Sequence, residues 1–310
     1  MSTSPPPESV TYRIRHTTRY RYTDMVAIAH NEARLTPRDG PQQRAHSTRF
    51  VVDPAPSFMV REQDYFGNWV NLFAFEEPHH EFSLTAHSEV TVSARALPEL
   101  VSTVPWEQAV TDTLDPAQPE QLEALQYGMA SPHVQWSPAL HDYAAESFAA
   151  GRPLLEGAFE LTQRIHDDFA YVPGVTSIAT PVSKVFEARR GVCQDFAHLQ
   201  LACLRALGLP ARYVSGYLLT EPPPGQKKLV GADASHAWVS VYCPGHGFVD
   251  MDPTNDTLVG TDHTTLAWGR DFADVSPLKG VVLGGGSHTI DVAVDVTPTQ
   301  TAQQQQQQQQ

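Results

Sequence analysis

The chain has 310 residues, 41% of them apolar, which suits two modest cores better than one very large one. Its 21 basic and 35 acidic residues leave a net charge of −14, and no basic stripe interleaved with aromatics occurs, which argues against nucleic acid as a partner. There is no long apolar run to span a membrane, the start MSTSPPPESV lacks the parts of a secretory signal, and three cysteines make no disulfide framework, so a cytoplasmic setting is expected.

In chain order, residues 1–10 carry three consecutive prolines and are expected to be disordered. Residues 11–96 alternate like strands, as in Tyr12-Arg13-Ile14-Arg15-His16 and Phe82-Ser83-Leu84-Thr85-Ala86, with a tight turn over Asp64 to Asn68. An N-terminal all-β domain, sandwich or barrel-like, is expected there. Residues 97–155 form a helical and loop-like connector broken by Pro98, Pro105, Pro116 and Pro119. A core over residues 156–260 then opens with a helix from Phe159 to Phe169 and a loop through Tyr171-Val172-Pro173-Gly174. A second helical run, Phe196 to Leu207, is followed by strands at Ala211 to Thr220, Ser235 to Cys243 and Phe248 to Asp252. Helices followed by an antiparallel sheet predict an α+β core. Residues 261–300 form a C-terminal extension with an alternating strand, Ile290 to Val296, whose sheet the pattern does not name. Residues 301–310 end in a glutamine tract that needs no structure.

Chemistry concentrates in Gly191-Val192-Cys193-Gln194-Asp195-Phe196-Ala197-His198. A cysteine in the first turn of a buried helix meets unpaired N–H groups and the positive end of the helix dipole, both of which favour the thiolate, its nucleophilic form. Such a nucleophile needs a base and a group to orient that base. Ser235-His236-Ala237-Trp238 and Asp252-Pro253-Thr254-Asn255 supply both. If the strand ending at Cys243 returns through Pro244-Gly245-His246 so that Cys243 pairs with Gly247, paired positions sum to 243 + 247 = 490. Trp238 then faces Asp252, and His236 is a diagonal neighbour of Asp252 on the same face, roughly 7–8 Å away. Asp250 has the same parity but lies a step farther off.

These motifs, with Arg212-Tyr213-Val214-Ser215-Gly216-Tyr217, resemble the bacterial transglutaminase-like family, a branch of the papain-like cysteine enzymes. His30-Asn31-Glu32-Ala33-Arg34-Leu35 and Asp64-Tyr65-Phe66-Gly67-Asn68 are similar to the β-rich region that precedes the family's core, and Gly269 to Gly286 to its C-terminal end. The resemblance implies a papain-like fold, with the helix carrying Cys193 packed on an antiparallel sheet. It also implies Cys193 as nucleophile, His236 as base and Asp252 as the residue orienting the histidine. Phe248, where the family often has tryptophan, departs from the pattern outside this set.

Plainer roles are expected elsewhere: Cys203 in the core, Cys243 structural, His246 exposed in its turn, and His79 with His80 exposed in a polar loop. Asp195 and His198 are placed either to tune the thiolate, to cap helix amides, or simply to pack or be solvated. Trp238 fits both a shield over the His–Asp pair and an ordinary core residue. Cys193, His198, Cys203, His236, Cys243 and His246 show no metal-ligand spacing, since on a helix His198 lies about 140° and Cys203 about 80° round from Cys193. Some animal relatives use calcium, but no acidic loop here has that spacing. No cofactor or metal is therefore expected. A peptide or protein substrate is expected to form a thioester with Cys193, which water or an amine then resolves. Water is favoured for want of an evident amine-donor site; acyl transfer and a catalytically silent protein-binding module stay open, as does the oligomeric state.

Overall fold

The computed structural model describes residues 9–220 and 235–299. The segment before Ser9 and the glutamine tract lie outside the described residues, but Ser9 and Val10, expected to be disordered, already belong to the first strand. That strand, β1 (Ser9–Ala33), runs for 25 residues and organises the N-terminal part. Tyr12, Ile14, His16 and Thr18 are buried while Arg13, Arg15 and Arg19 alternate outward, the period of a half-buried strand. Along one edge it pairs first with β5 (His79–Ser93) and then with β4 (Trp69–Phe75), whose hairpin partner is β3 (Phe58–Gln63); β2 (Gln43–Asp53) pairs β5. The turn at Asp64 to Asn68 joins β3 to β4 as expected. His79 does not sit in an exposed loop: it opens β5 and is buried, its ring centroid 4.8 Å from that of Phe75. Neighbouring aromatics make that position apolar, a contact that local polarity does not reveal. His80 is exposed.

Prolines start the connector helices instead of only breaking them. Pro105 precedes α1 (Trp106–Leu114), and Pro119 and Pro138 occupy the first turns of α2 (Pro119–Leu125) and α3 (Pro138–Ala145). The amphipathic α4 (Leu154–Asp168) begins five residues before its expected start and buries Leu154, Leu155, Ala158, Leu161 and Ile165. A short parallel pairing of β6 (Ala170–Tyr171) with β7 (Arg190–Gly191) brackets α5 (Val182–Ala188). Then comes α6 (Cys193–Ala206), buried from Asp195 to Arg205.

The core sheet is antiparallel and five-stranded, in the order β11-β10-β9-β8-β12: β8 (Ala211–Leu218), β9 (Ser235–Cys243), β10 (Gly247–Asp252), β11 (Thr257–Leu258) and β12 (His263–Gly269). α6 packs against β8 and β9, with α3, α4 and α5 on its other sides. The fold is therefore α+β, a Cys-bearing helix on an antiparallel sheet preceded by an all-β region. No helix among the described residues is long and apolar enough to cross a membrane.

After α7 (Phe272–Val275), the chain returns to the N-terminal sheet. β13 (Leu278–Gly284) and β14 (His288–Pro298) run in line along the free edge of β1, so the strand at Ile290 to Val296 pairs with the start of the chain. The break between them, Gly284 to Gly286, has φ values of +92°, +86° and +61°, a left-handed run that glycine alone adopts without strain. The N-terminal region is thus all-β, its strands connected in one seven-stranded sheet. Within it the rings of Phe73, Phe75, His79 and Phe82 pack on one another. His16 Nδ1 lies 2.8 Å from the hydroxyl of Tyr217, joining the two sheets.

Two side-chain amides complete that junction. Gln43 Nε2 donates to the carbonyl of Thr265 and its Oε1 accepts that residue's N–H, both at 2.8 Å. Asn68 does the same with Trp268, at 2.9 Å each way. Backbone groups on the outer edge of β12 are thereby satisfied without another strand. Asp64 holds Asn68 through its N–H and Nδ2, and Arg34 Nε donates to Asp64. These motif residues clamp the N-terminal sheet onto the core.

Candidate active site

β9 and β10 pair in the expected register: Cys243 with Gly247, Val241 with Val249, Val239 with Met251. His236 and Asp252 therefore share a face, and His236 Nε2 lies 2.7 Å from Asp252 Oδ2. Asp250, at the same parity, serves different partners: Oδ2 accepts from Trp238 Nε1 at 3.2 Å, and Oδ1 accepts from the Ser240 hydroxyl. Trp238 is fully buried, its centroid 6.1 Å from that of His236. It is a core residue whose ring also abuts that of His263, 5.2 Å between centroids.

Cys193 is the first residue of α6 and is half-buried. Burial alone would lower the pKa of His236. Hydrogen bonds to Asp252 and Cys193, with the charges of both, outweigh it and lift the imidazole to about 9. With Nε2 committed to Asp252, Nδ1 is the nitrogen that remains for the thiol. The three residues singled out in the sequence thus meet.

Asp252 is fully buried. Burial pushes its pKa up, but hydrogen bonds from His236, His263 and Asn255 hold the carboxyl well below the usual range. Its Oδ1 accepts the N–H groups of Thr254 (2.9 Å) and Asn255 (3.3 Å), an Asx-type turn that explains the Asp-Pro-Thr-Asn string. Its Oδ2 receives Asn255 Nδ2 at 2.6 Å and His263 Nε2 at 3.1 Å as well as His236. Neither Asn255 nor His263 is assigned a role by sequence reasoning. Asn255 lies within a recognised motif, whereas His263 carries no local signal; β12 brings it in from the far edge of the sheet. His236, Asp252 and His263 are the one group among the described residues whose ligand atoms, all within 4.8 Å, could reach a common cation. The 2.7 and 3.1 Å separations are those of hydrogen bonds, which account for the arrangement.

Asp195 caps α6. Its Oδ2 accepts the Val192 N–H at 2.8 Å and the Thr176 hydroxyl at 2.6 Å, tying the 172–181 loop to the turn before Cys193. His198 packs: it is buried, stacks on His133 and accepts the Phe272 N–H. Cys203 and Cys243 are buried, and burial raises their thiols to about 12 and about 11. His246 is exposed in its turn.

A buried carboxylate hydrogen-bonded to an imidazole, and a helix-terminal thiol beside them, on a transglutaminase-like fold define a class, and comparison with known proteins agrees. Residues 12–91 match the bacterial transglutaminase-like N-terminal region, and residues 141–253 match the transglutaminase-like superfamily core. Uncharacterized proteins of Mycobacterium bovis and Mycobacterium tuberculosis are 42% identical over 296 residues, covering 93% of this chain and 92% of theirs. A protein-glutamine gamma-glutamyltransferase of Pseudomonas aeruginosa is 33% identical over 148 residues, 43% of this chain but 22% of that one. The crystal structure of a protein from Cytophaga hutchinsonii, provisionally assigned as a cysteine protease, superposes with a TM-score of 0.76 at 21% identity, over 95% of this chain and 92% of that one. The chain belongs to the transglutaminase-like superfamily.

Proposed function

We propose that the chain is a thiol hydrolase, a peptidase or amidase, in which Cys193, His236 and Asp252 act as nucleophile, acid–base and orienting carboxylate. The observation that carries this reading is the placement of His236 between Asp252 and Cys193, with its imidazole lifted to about 9. At neutral pH the imidazole then keeps its proton, ready to stabilise a negative sulfur and to protonate a leaving group. The thiolate attacks the carbonyl carbon of an amide, and the backbone N–H of Cys193 helps hold the developing oxyanion. His236 gives its proton to the departing nitrogen as the C–N bond breaks, leaving a thioester on Cys193. The now neutral imidazole takes a proton from water, whose oxygen attacks the thioester. The carboxylic acid leaves and the thiol is restored. Asp252 keeps the Nε2–H directed at itself and Nδ1 toward sulfur throughout.

A second reading, transfer of the acyl group to an amine, is supported by the partial likeness to the glutamyltransferase. Mass spectrometry of a peptide pool rich in glutamine, with and without a primary amine, separates the two. Hydrolysis predicts cleaved or deamidated peptides that vanish with Cys193→Ala, whatever amine is present. Amine adducts that vanish with the same variant would replace hydrolysis by transfer, and products unchanged by Cys193→Ala would refute both.

A further inference from the structure

A cavity of about 630 Å³ opens where the segment after β1, the residues following β5, and α2 meet the core sheet, apart from the thiol. Arg212, on β8, projects into its wall and is only 9% exposed. Its guanidinium carbon lies 3.7 Å from the ring centroid of Trp268 and 4.0 Å from that of Phe248. Among the described residues it forms no ion pair, and its Nε is buried without a hydrogen-bond partner. Asp250 is the acid whose charge it feels most, but that carboxylate is taken by Trp238 and Ser240. Arg38 reaches the same cavity, stacks on Trp268 at 3.6 Å and also carries a buried, unpartnered Nε. Its NH1 is spent on the Phe66 carbonyl and Asn68 Oδ1. His263 lines the cavity too, and its buried Nδ1 lacks a partner.

A buried guanidinium without an anion is costly, and the half-buried Arg38 beside it adds a second positive charge to the same cavity. We infer that this cavity is a second binding site, for a small molecule carrying a single carboxylate on an apolar body, held by Arg212 with Arg38 beside it. Stacking on two rings leaves Arg212 only its in-plane N–H edge, which matches a planar carboxylate accepting two parallel hydrogen bonds. The walls include Val92, Leu97 and Phe248, which suit an apolar body, and the volume falls in the range of small-molecule sites. Exposed carboxylates of Asp39, Glu120 and Glu123 rim the opening, and they repel a dianion such as phosphate more than a monoanion. The site does not depend on the thiol chemistry.

Calorimetric titration of the full chain in low-chloride buffer with 4-bromobenzoate, acetate and inorganic phosphate tests this. Saturable binding is expected for bromobenzoate, weaker for acetate and weakest for phosphate. Cys193→Ala should bind as the parent does, so failure of the catalytic reading and failure of this one are distinguishable. Arg212→Gln should abolish binding, and Arg212→Lys, which keeps the charge and most of the stem, should weaken it about tenfold or more. Crystals of the parent chain grown with bromobenzoate keep the test open should Arg212→Gln not fold: an anomalous bromine peak is expected in the cavity, with the carboxylate on Arg212. No saturable heat, binding unchanged by either Arg212 variant, a peak elsewhere, or phosphate binding more tightly than bromobenzoate would overturn the proposal.

Discussion

His263 Nε2 lies 3.1 Å from Oδ2 of Asp252, the same oxygen that His236 Nε2 approaches at 2.7 Å. One buried carboxylate thus serves two histidines, which come from different strands of the core sheet. If Cys193, His236 and Asp252 act as proposed, His263 acts through Asp252 as a positioning residue. Its removal is expected to lower kcat about 10- to 100-fold with little change in KM, because the base loses its alignment before the substrate loses contacts. His263→Gln, whose amide can still donate to Asp252, should recover much of what His263→Leu loses. Loss of thermal stability with unchanged kcat in both variants would assign His263 a packing role alone.

The pH dependence of activity follows from His236. With its imidazole lifted to about 9, kcat/KM should hold through neutral pH and fall as pH rises through about 9. Because the folded value is above the ordinary 6.5, this group's contribution to stability is complete below about 6.5 and is lost as pH rises through about 9. Asp252→Asn removes the main support and should move the alkaline limb of the rate profile down. An alkaline limb that stays in place in Asp252→Asn would show that another group sets it.

On the acid side, two buried histidines matter. Burial lowers His16 to about 4, and burial, with Arg205 and His133 nearby, lowers His198 to about 3 despite the opposing charge of Asp271. Both stay neutral in the fold and take up protons more readily when it opens. Stability should therefore be full above about 6.5 and decline as pH falls towards 4, with each histidine steepening the slope by about 1.4 kcal/mol per pH unit. Urea unfolding from pH 7 to 4.5 should show this decline. In His16→Gln it should be shallower, and an equal slope would place His16 outside the acid transition.

Iodoacetamide near pH 6 should alkylate Cys193 while leaving Cys203 and Cys243 unmodified. The latter two are buried, with thiols raised to about 12 and about 11. Peptide mapping after short exposure reads the result. Equally slow labelling of all three would count against an activated thiol.

Gly216 offers a test of how tightly the polar layer is packed. A Cβ there would run into the Thr264 carbonyl and the ring of Trp238, both fully buried. Gly216→Ala should cost about 1–3 kcal/mol in denaturant unfolding. It should also lower activity, since Trp238 is the residue displaced against the His236 and His263 rings. A neutral substitution would mean that this layer yields more readily than its contacts imply.

Much of the site was legible because it depends on short-range periodicity. The helical spacing after Cys193, the alternation of Ser235 to Cys243 and the turn at Pro244-Gly245-His246 determine the face of each side chain within a few residues. One register then separates Asp252 from Asp250. The motif residue Asn68 was also recognisable, although its task was not: with Gln43, which no motif marked, it acts on the edge of a strand some 200 residues away. The long pairing of β1 with β13 and β14 was equally silent, since alternation tells which side chains face inward and not which strand lies alongside.

By itself the sequence determined the class of fold and singled out Cys193, His236 and Asp252 as candidates for nucleophile, base and orienting carboxylate, because each choice rests on residue type and on contacts within one helix or one hairpin. Only the tertiary structure decided that His263 shares Asp252, that Asp195 is a helix cap and His198 a packing residue, and that Arg212 and Arg38 wall one cavity. Those placements come from elements far apart in the chain, brought together to bury apolar surface, and burial is indifferent to the order in which residues are strung.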